Sequence, residues 1–286
     1  MDPEEYSRIA ASENSHWWYR TVRRLLADVV SPLLVPETGR YLDAGCGPGG
    51  NSSWVPSGRF EIFGLDIADE AVQYARRMRP EMKVVRAGIE RIPFADASFD
   101  GLQSITVLCH ELVESEEAAL REYARVLRPA GLLLCIEPAF EIFRRSHDRV
   151  VQARRRYRLT DLTERIASSG FEVIFGTYFF AILSLPALAL AIADRVMGRR
   201  TYRSDLQRSG LLDPLFWAAG SAERALVRAS ARKTLASARR KSESPMLEPE
   251  NPMLEPENGM LGSASKKPSR PPLPIGTSVF VVAQKK

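Results

Sequence analysis

The chain has 286 residues, enough for one large domain with additions or two small ones, and its 45% apolar and 26% charged residues are ordinary for a globular protein. Collagen-like, wholly disordered and disulfide-scaffold classes are excluded on that composition. The formal charge of +5 is concentrated: residues 228–270 hold nine Lys/Arg against five Glu, which leaves +1 elsewhere and no expectation of a basic groove or a nucleic-acid partner.

The opening Met1-Asp2-Pro3-Glu4-Glu5 is acidic and lacks an apolar stretch, so a cleaved signal peptide is not expected. An aromatic cluster, His16-Trp17-Trp18-Tyr19, leads into an amphipathic helix over 15–30. From residue 40 to about 177, short apolar runs alternate with helical stretches. Strands are predicted at 41–44, 62–65, 84–86, 101–106, 132–136 and 171–175. Helices at 69–79, 115–126 and 160–169 separate them, with Asp69, Ser115 and Thr160 as N-caps. Strand and helix in regular alternation predict an α/β fold, with a mostly parallel sheet covered on both faces.

That pattern breaks at residues 173–193, which carry no charge over a length comparable to a bilayer span. Gly176, Thr177, Ser184 and Pro186 interrupt the run, so it is read as a buried strand followed by an apolar helix covering a pocket, with contact to a membrane surface as the sharper alternative. The run from Arg144 to Arg158 is basic; a solvated face is its ordinary reading, and an anionic substrate or lipid headgroup the sharper one. An Ala/Arg-rich helix is predicted over 221–241. A seven-residue repeat, 245–251 and 252–258, places proline in each copy, and 242–272 is expected to form a flexible loop. Residues 277–283 read as a last strand that rejoins the sheet. Cys46, Cys109 and Cys135 are far apart and form no metal-ligand spacing with the three histidines, which fits a reducing cytosol and no metal site.

The strongest local signal is Tyr41-Leu42-Asp43-Ala44-Gly45-Cys46-Gly47-Pro48-Gly49-Gly50, a strand running into a glycine-rich turn where a ligand can lie against backbone. Asp66 follows at the end of the next predicted strand, 21 residues after Gly45, where a carboxylate can accept bonds from both hydroxyls of a ribose. Gly45, Gly47 and Gly50 satisfy GxGxxG, so a dinucleotide site is one reading. Asp43 would repel a pyrophosphate but attract the sulfonium and ammonium of S-adenosylmethionine (SAM), which favours SAM.

With these residues the chain resembles the class I SAM-dependent methyltransferases. Leu42-Asp43-Ala44-Gly45-Cys46-Gly47 is similar to their first motif and Gly64-Leu65-Asp66-Ile67 to their second. Residues 87–94 with Ser98-Phe99-Asp100 resemble the adenine-side loop and fourth strand, and 127–132 the turn into the fifth. The His16-Trp17-Trp18-Tyr19-Arg20 opening resembles a bacterial subgroup acting on small molecules, often with a helical insertion before the last strand. One position departs: where the family usually has Gly-Asp-Ala, with the aspartate on the adenine amino group, this chain has Gly88, and Ile89 offers its backbone N–H and an apolar wall.

The resemblance implies a Rossmann-like fold with an antiparallel last strand and SN2 transfer of the SAM methyl to a small, partly apolar acceptor. It implies cofactor contacts from Asp43, Gly45, Cys46, Gly47, Asp66, Ile67 and Ile89, and a lid of His16, Trp17, Trp18 and Tyr19. His110, after the fourth strand, is the candidate general base, and Glu137 is expected to face the pocket. The expected organisation is a helical lid over 1–38, a core over 39–177 completed by 276–286, a helical substrate cap over 178–241 and the repeat-bearing loop over 242–275. Weak membrane-surface contact would involve 178–241. A SAM-binding protein without methyl transfer or with another activity such as cyclisation, a nicotinamide-dependent oxidoreductase and a peripheral membrane protein are the rival readings.

Overall fold

The computed structural model describes residues 3–34, 38–196, 213–242 and 271–286. Seven strands form one sheet: β1 (Gly39–Ala44), β2 (Phe60–Asp66), β3 (Lys83–Arg86), β4 (Phe99–Ile105), β5 (Leu127–Pro138), β6 (Phe171–Phe179) and β7 (Ser278–Lys285). Their spatial order is β3-β2-β1-β4-β5-β7-β6. β1 to β5 run parallel, and β7 inserts antiparallel to both β5 and β6. The expected Rossmann-like sheet with an antiparallel last strand is therefore the observed one.

Alternation along each strand splits the core into two layers. Leu42, Leu65, Leu102, Val279 and Val281 pack on one face with α4 (Glu116–Val126) and α6 (Leu159–Ser168), around the buried Tyr123. Tyr41, Ile62, Phe280 and Val282 pack on the other with α2 (Trp17–Val29), α3 (Asp69–Met78) and the middle of α8 (Asp213–Ser242). α1 (Pro3–Ser12), α5 (Ser146–Val150) and α7 (Ser184–Val196) complete the helices. Two pairs of polar side chains bond across this interior: Trp54 Nε1 donates to Gln103 Oε1 at 2.9 Å, and Tyr123 Oη to Ser104 Oγ at 3.0 Å.

Several boundaries differ from the sequence reading for local reasons. Ser115 caps α4 as expected, its Oγ accepting from Ala118 N at 3.1 Å. Asp69 is instead the first residue of α3 and Ala68 the N-cap, because Asp66 Oδ1 already receives the Ala68 N–H and turns the chain into the helix. α6 is capped by Arg158, which leaves Thr160 inside its first turn. β5 begins at Leu127 because Phe99 pairs with it ahead of a register shift, so the predicted turn is absorbed into the strand. α1 was not predicted, and α8 starts at Asp213, which takes Phe216-Trp217 into the helix.

The uncharged run separates as expected into β6 and α7, and among the described residues no helix is long and apolar enough to cross a membrane. α8 is tied to the body through Glu223, which accepts from Ala181 N at 2.7 Å and Ile182 N at 3.3 Å, and through Arg224, which pairs with Asp28 of α2. The tandem repeat lies outside the described residues.

Candidate active site

β1 and β4 are neighbours, yet the chain continues from β1 toward β2 on one side and from β4 toward β5 on the other. Loops leaving their carboxyl ends therefore part and open a crevice, the usual ligand position in such sheets. A cavity of about 480 Å³ lies there, within the range of small-molecule sites.

The glycine turn forms its floor. Gly45 has φ +79° and a Cβ there would stand 2.4 Å from Val107 Cγ2, so both the backbone conformation and the close approach of the 107–110 loop require glycine. Gly47, at φ +53°, has nothing within 4 Å of where a Cβ would lie, and opens that space to the cavity. Asp66 fixes the turn: its Oδ2 accepts from Gly47 N at 2.9 Å and its Oδ1 from Ala68 N at 3.0 Å. Burial raises its pKa against those two N–H groups. Each oxygen retains acceptor capacity for a further donor.

Gly45, Cys46, Gly47, Asp66, Ile67 and Ile89 all line the cavity, as do His16, Trp17, Trp18 and Tyr19. Asp43 does not. It is buried between Gly64 of β2 and Gln103 of β4, and its Oδ2 has no hydrogen-bond partner among the described residues. Alternation along β1 puts Asp43 on the Tyr41 face of the sheet, outside the cavity lining, so any influence it has on a ligand acts as a charge behind the wall. Cys46 is 4% exposed and burial pushes its thiol well up, as suits a small turn residue rather than a nucleophile. Gly88 lines the cavity with only Ile67 Cδ1 near its would-be Cβ, at 3.8 Å, so the position has room for a side chain that this sequence omits.

Glu13 was missed by sequence reasoning. It follows α1 and reaches over the turn, where its Oε2 accepts from Gly50 N at 3.1 Å in the space a Gly50 Cβ would occupy. Its only sequence signal was a carboxylate shortly before the aromatic cluster. Glu5 and Tyr6 of α1 line the same end, and Asn51 presents a buried Oδ1 without a partner there. This end is acidic and holds orphaned acceptors, which fits a cationic ligand carrying N–H donors and does not fit a pyrophosphate.

Burial pushes the carboxyl groups of Asp43 and Glu13 up to about 7. A cation favours their ionised forms, so below pH 7 its binding must expel protons, and above pH 8 no proton remains to expel. SAM affinity is therefore expected to rise between pH 6 and 8, by up to ~10-fold per unit for each group, and then level off. Calorimetry in buffers of different ionisation heat should show proton release at pH 6.5, reduced in Glu13→Gln. A flat affinity across the window would remove the role given to these carboxylates.

The aromatic cluster is held over the cavity by packing. His16 caps α2, with Nδ1 accepting from Trp18 N at 3.3 Å. The Trp17 ring meets Phe180 and Phe216, each at 5.3 Å between centroids, and thereby joins α2 to β6's end and α8. On the opposite wall, Thr106 ends β4 at φ +56°, a strained conformation for a β-branched residue at the cavity. His110 lines the cavity, and its Nδ1 accepts from Leu112 N at 3.1 Å. Burial lowers its pKa, so the neutral ring carries its proton on Nε2.

Glu137 does not face the pocket. Its Oε1 accepts from Val107 N at 3.2 Å and Leu108 N at 3.0 Å, and its Oε2 from Cys109 N at 3.2 Å. It braces the loop that carries His110, because a β5 side chain at this register lies beneath the end of β4. Arg145, His147 and Arg156 line the far end of the cavity, where Asp148 holds Arg156 through both carboxylate oxygens.

The α/β sheet with its glycine turn, a carboxylate at the end of β2 and an acidic end of the cavity defines a site for a cationic ligand rather than a phosphorylated one. Residues 42–135 match the family described as "Methyltransferase domain". The malonyl-acyl-carrier-protein O-methyltransferase of Enterobacter lignolyticus (strain SCF1) is 33% identical over 138 residues, 46% of this chain and 54% of that protein. A Mycobacterium tuberculosis (strain CDC 1551 / Oshkosh) protein named as a probable S-adenosylmethionine-dependent methyltransferase is 29% identical over 160 residues, 54% of this chain and 56% of that protein. The chain thus spans little more than half the length of these relatives. A chain of the Haloferax volcanii Trm112 methyltransferase-activator complex shares the fold, with a TM-score of 0.55 and 17% identity over 98% of this chain and 97% of that one. Residues 42–135 are thus similar to a methyltransferase domain, and a relative over this region is named as S-adenosylmethionine-dependent.

Proposed function

We propose that this protein is a SAM-dependent methyltransferase acting on a small, partly apolar organic acceptor in the biosynthesis of a secondary metabolite. The observation that carries this reading is one continuous cavity, acidic and glycine-floored where the cofactor would lie and mixed beyond it, where Phe143, Leu183, Pro186 and Leu190 form an apolar wall beside Arg145, His147 and Arg156. Bound there, SAM supplies an electrophilic methyl group for SN2 displacement. Asp66 would hold its ribose, Gly45 and Gly47 would permit close approach, and Ile67 and Ile89 would flank the ring. Asp43 and Glu13 supply negative potential for the sulfonium and ammonium. The His16-Trp17-Trp18-Tyr19 lid excludes water, and the segment over 178–241 shapes the acceptor half.

His110 serves this reading first as a donor. With Nδ1 occupied by the Leu112 N–H, its Nε2–H can orient an acceptor oxygen, and it becomes a base only when the ring releases Leu112. The aromatic opening supports placement among bacterial small-molecule enzymes, and the three buried free cysteines accord with a cytosolic setting.

The test is S-adenosylhomocysteine release in the presence of SAM and a panel of phenols, carboxylic acids and sugar derivatives. Release is expected to match methylated product, and to favour apolar acceptors. SAM binding without release on any acceptor would replace the transferase by a SAM-binding protein or a cyclisation catalyst. NAD(H) binding without SAM binding would return the oxidoreductase.

A further inference from the structure

α7 is apolar in more directions than a helix of a globular protein needs. Pro186, Ala187 and Leu190 line the cavity, and Ser184 and Ala191 are buried against the body. A further stripe, Leu185, Ala189, Ile192 and Val196, follows the spacing of one helix face and points to solvent, with Leu185 78%, Ile192 49% and Val196 80% exposed. Such a helix ordinarily turns charges outward; an apolar outer stripe suits a second apolar medium.

Charge adjoins this stripe. The end of α7 docks on the segment 141–158, where Ser146 N and Oγ donate to Asp194 Oδ2 at 3.2 and 2.9 Å and Arg195 Nη2 donates to the Ile142 carbonyl at 2.9 Å. That segment carries seven arginines against Glu141 and Asp148. Glu116, Glu117 and Asp194 also face it, from α4 and α7, while Arg165 and Arg195 join the cations. Nine arginines against five acids leave a surplus of four positive charges. A second copy of the chain would bring the same surplus against itself, whereas an anionic lipid surface complements both the charge and the stripe.

We propose that α7 and the 141–158 segment seat the protein on an anionic bilayer, with the outer stripe of α7 in the headgroup boundary and the exposed Arg149, Arg154 and Arg158 on lipid phosphates, while Arg145 and Arg156 stay paired at the cavity. Because α7 is also a wall of the cavity, docking sets the acceptor half beside the lipid.

The full chain is to be sedimented with phosphatidylglycerol/phosphatidylcholine vesicles and with phosphatidylcholine vesicles at low salt, a readout that needs neither cofactor nor acceptor and so stands apart from the methyltransferase reading. Binding is expected to the anionic vesicles, at least ~10-fold weaker to the neutral ones, and to fall with salt. Leu185→Glu with Ile192→Glu is expected to weaken it at least ~10-fold with an unchanged melting curve. Val196→Glu replaces that pair should it melt early. No binding to anionic vesicles at low salt, or equal binding by the stripe variants, overturns the proposal. So does a wild-type dimer that the stripe variants break while no lipid is bound.

Discussion

Asp66→Ala is expected to weaken SAM binding about 100-fold by calorimetry, since two charge-assisted hydrogen bonds to a ribose together amount to about 3 kcal/mol. The same carboxylate holds Gly47 N and Ala68 N, so the substitution also releases two backbone groups that shape the turn. Asp66→Asn separates the two effects. It keeps one oxygen for the turn and sets an N–H₂ against the other donor, and it should fall between wild type and alanine in both melting temperature and affinity. Equal SAM binding by wild type and Asp66→Ala would end the assignment of this residue to the ribose. A wild type that binds no SAM at millimolar ligand would end the methyltransferase reading, with Gly88 as the departure that explains it.

Glu137→Ala is expected to cost about 3 kcal/mol in stability, because Val107, Leu108 and Cys109 lose the acceptor of their buried N–H groups. For a chain of this size that lowers the melting temperature by about 5 °C. Glu137→Gln retains an oxygen for two of the three donors and should recover most of the loss. SAM affinity should fall with the alanine variant too, since Val107 packs against Gly45. Burial pushes the Glu137 carboxyl up to about 8. The native state then holds a proton that the unfolded chain gives up in the ordinary carboxylate range, so this group's contribution weakens as pH rises toward 8 and is constant above it. The Gln variant should lack that dependence. Melting curves from pH 5 to 9 that coincide in slope would show that Glu137 does not carry it.

Much of this was legible because it is local. The turn after Leu42-Asp43-Ala44 needs glycine for its backbone and for its approach to a neighbour, and those needs appear directly as residue types at fixed spacing. Asp66 follows from its place at a strand end and Ile67 and Ile89 from the resemblance, and each stands in the cavity wall. The mostly parallel sheet follows from alternation of strand and helix, and the last strand's antiparallel direction from the resemblance.

What the sequence could not reveal depends on partners far along the chain. Glu13 reaches Gly50 across 37 positions, and Glu137 meets the 107–109 loop across about 30, so neither carboxylate had a local signal for its role. Asp43 reads as a ligand contact in one dimension, but in the fold it is buried on the Tyr41 face of the sheet and does not line the cavity. His110 reads as a base until the Leu112 N–H occupies its Nδ1. By itself the sequence determined the strands of the sheet and the helices between them, the glycine turn and the carboxylate at the end of β2, because these rest on backbone conformation and on periodicity. The tertiary structure decided which buried charges brace loops and which face the cavity, and that α7 turns an apolar stripe outward, because burial and hydrogen-bond partnership exist only once distant segments are packed together.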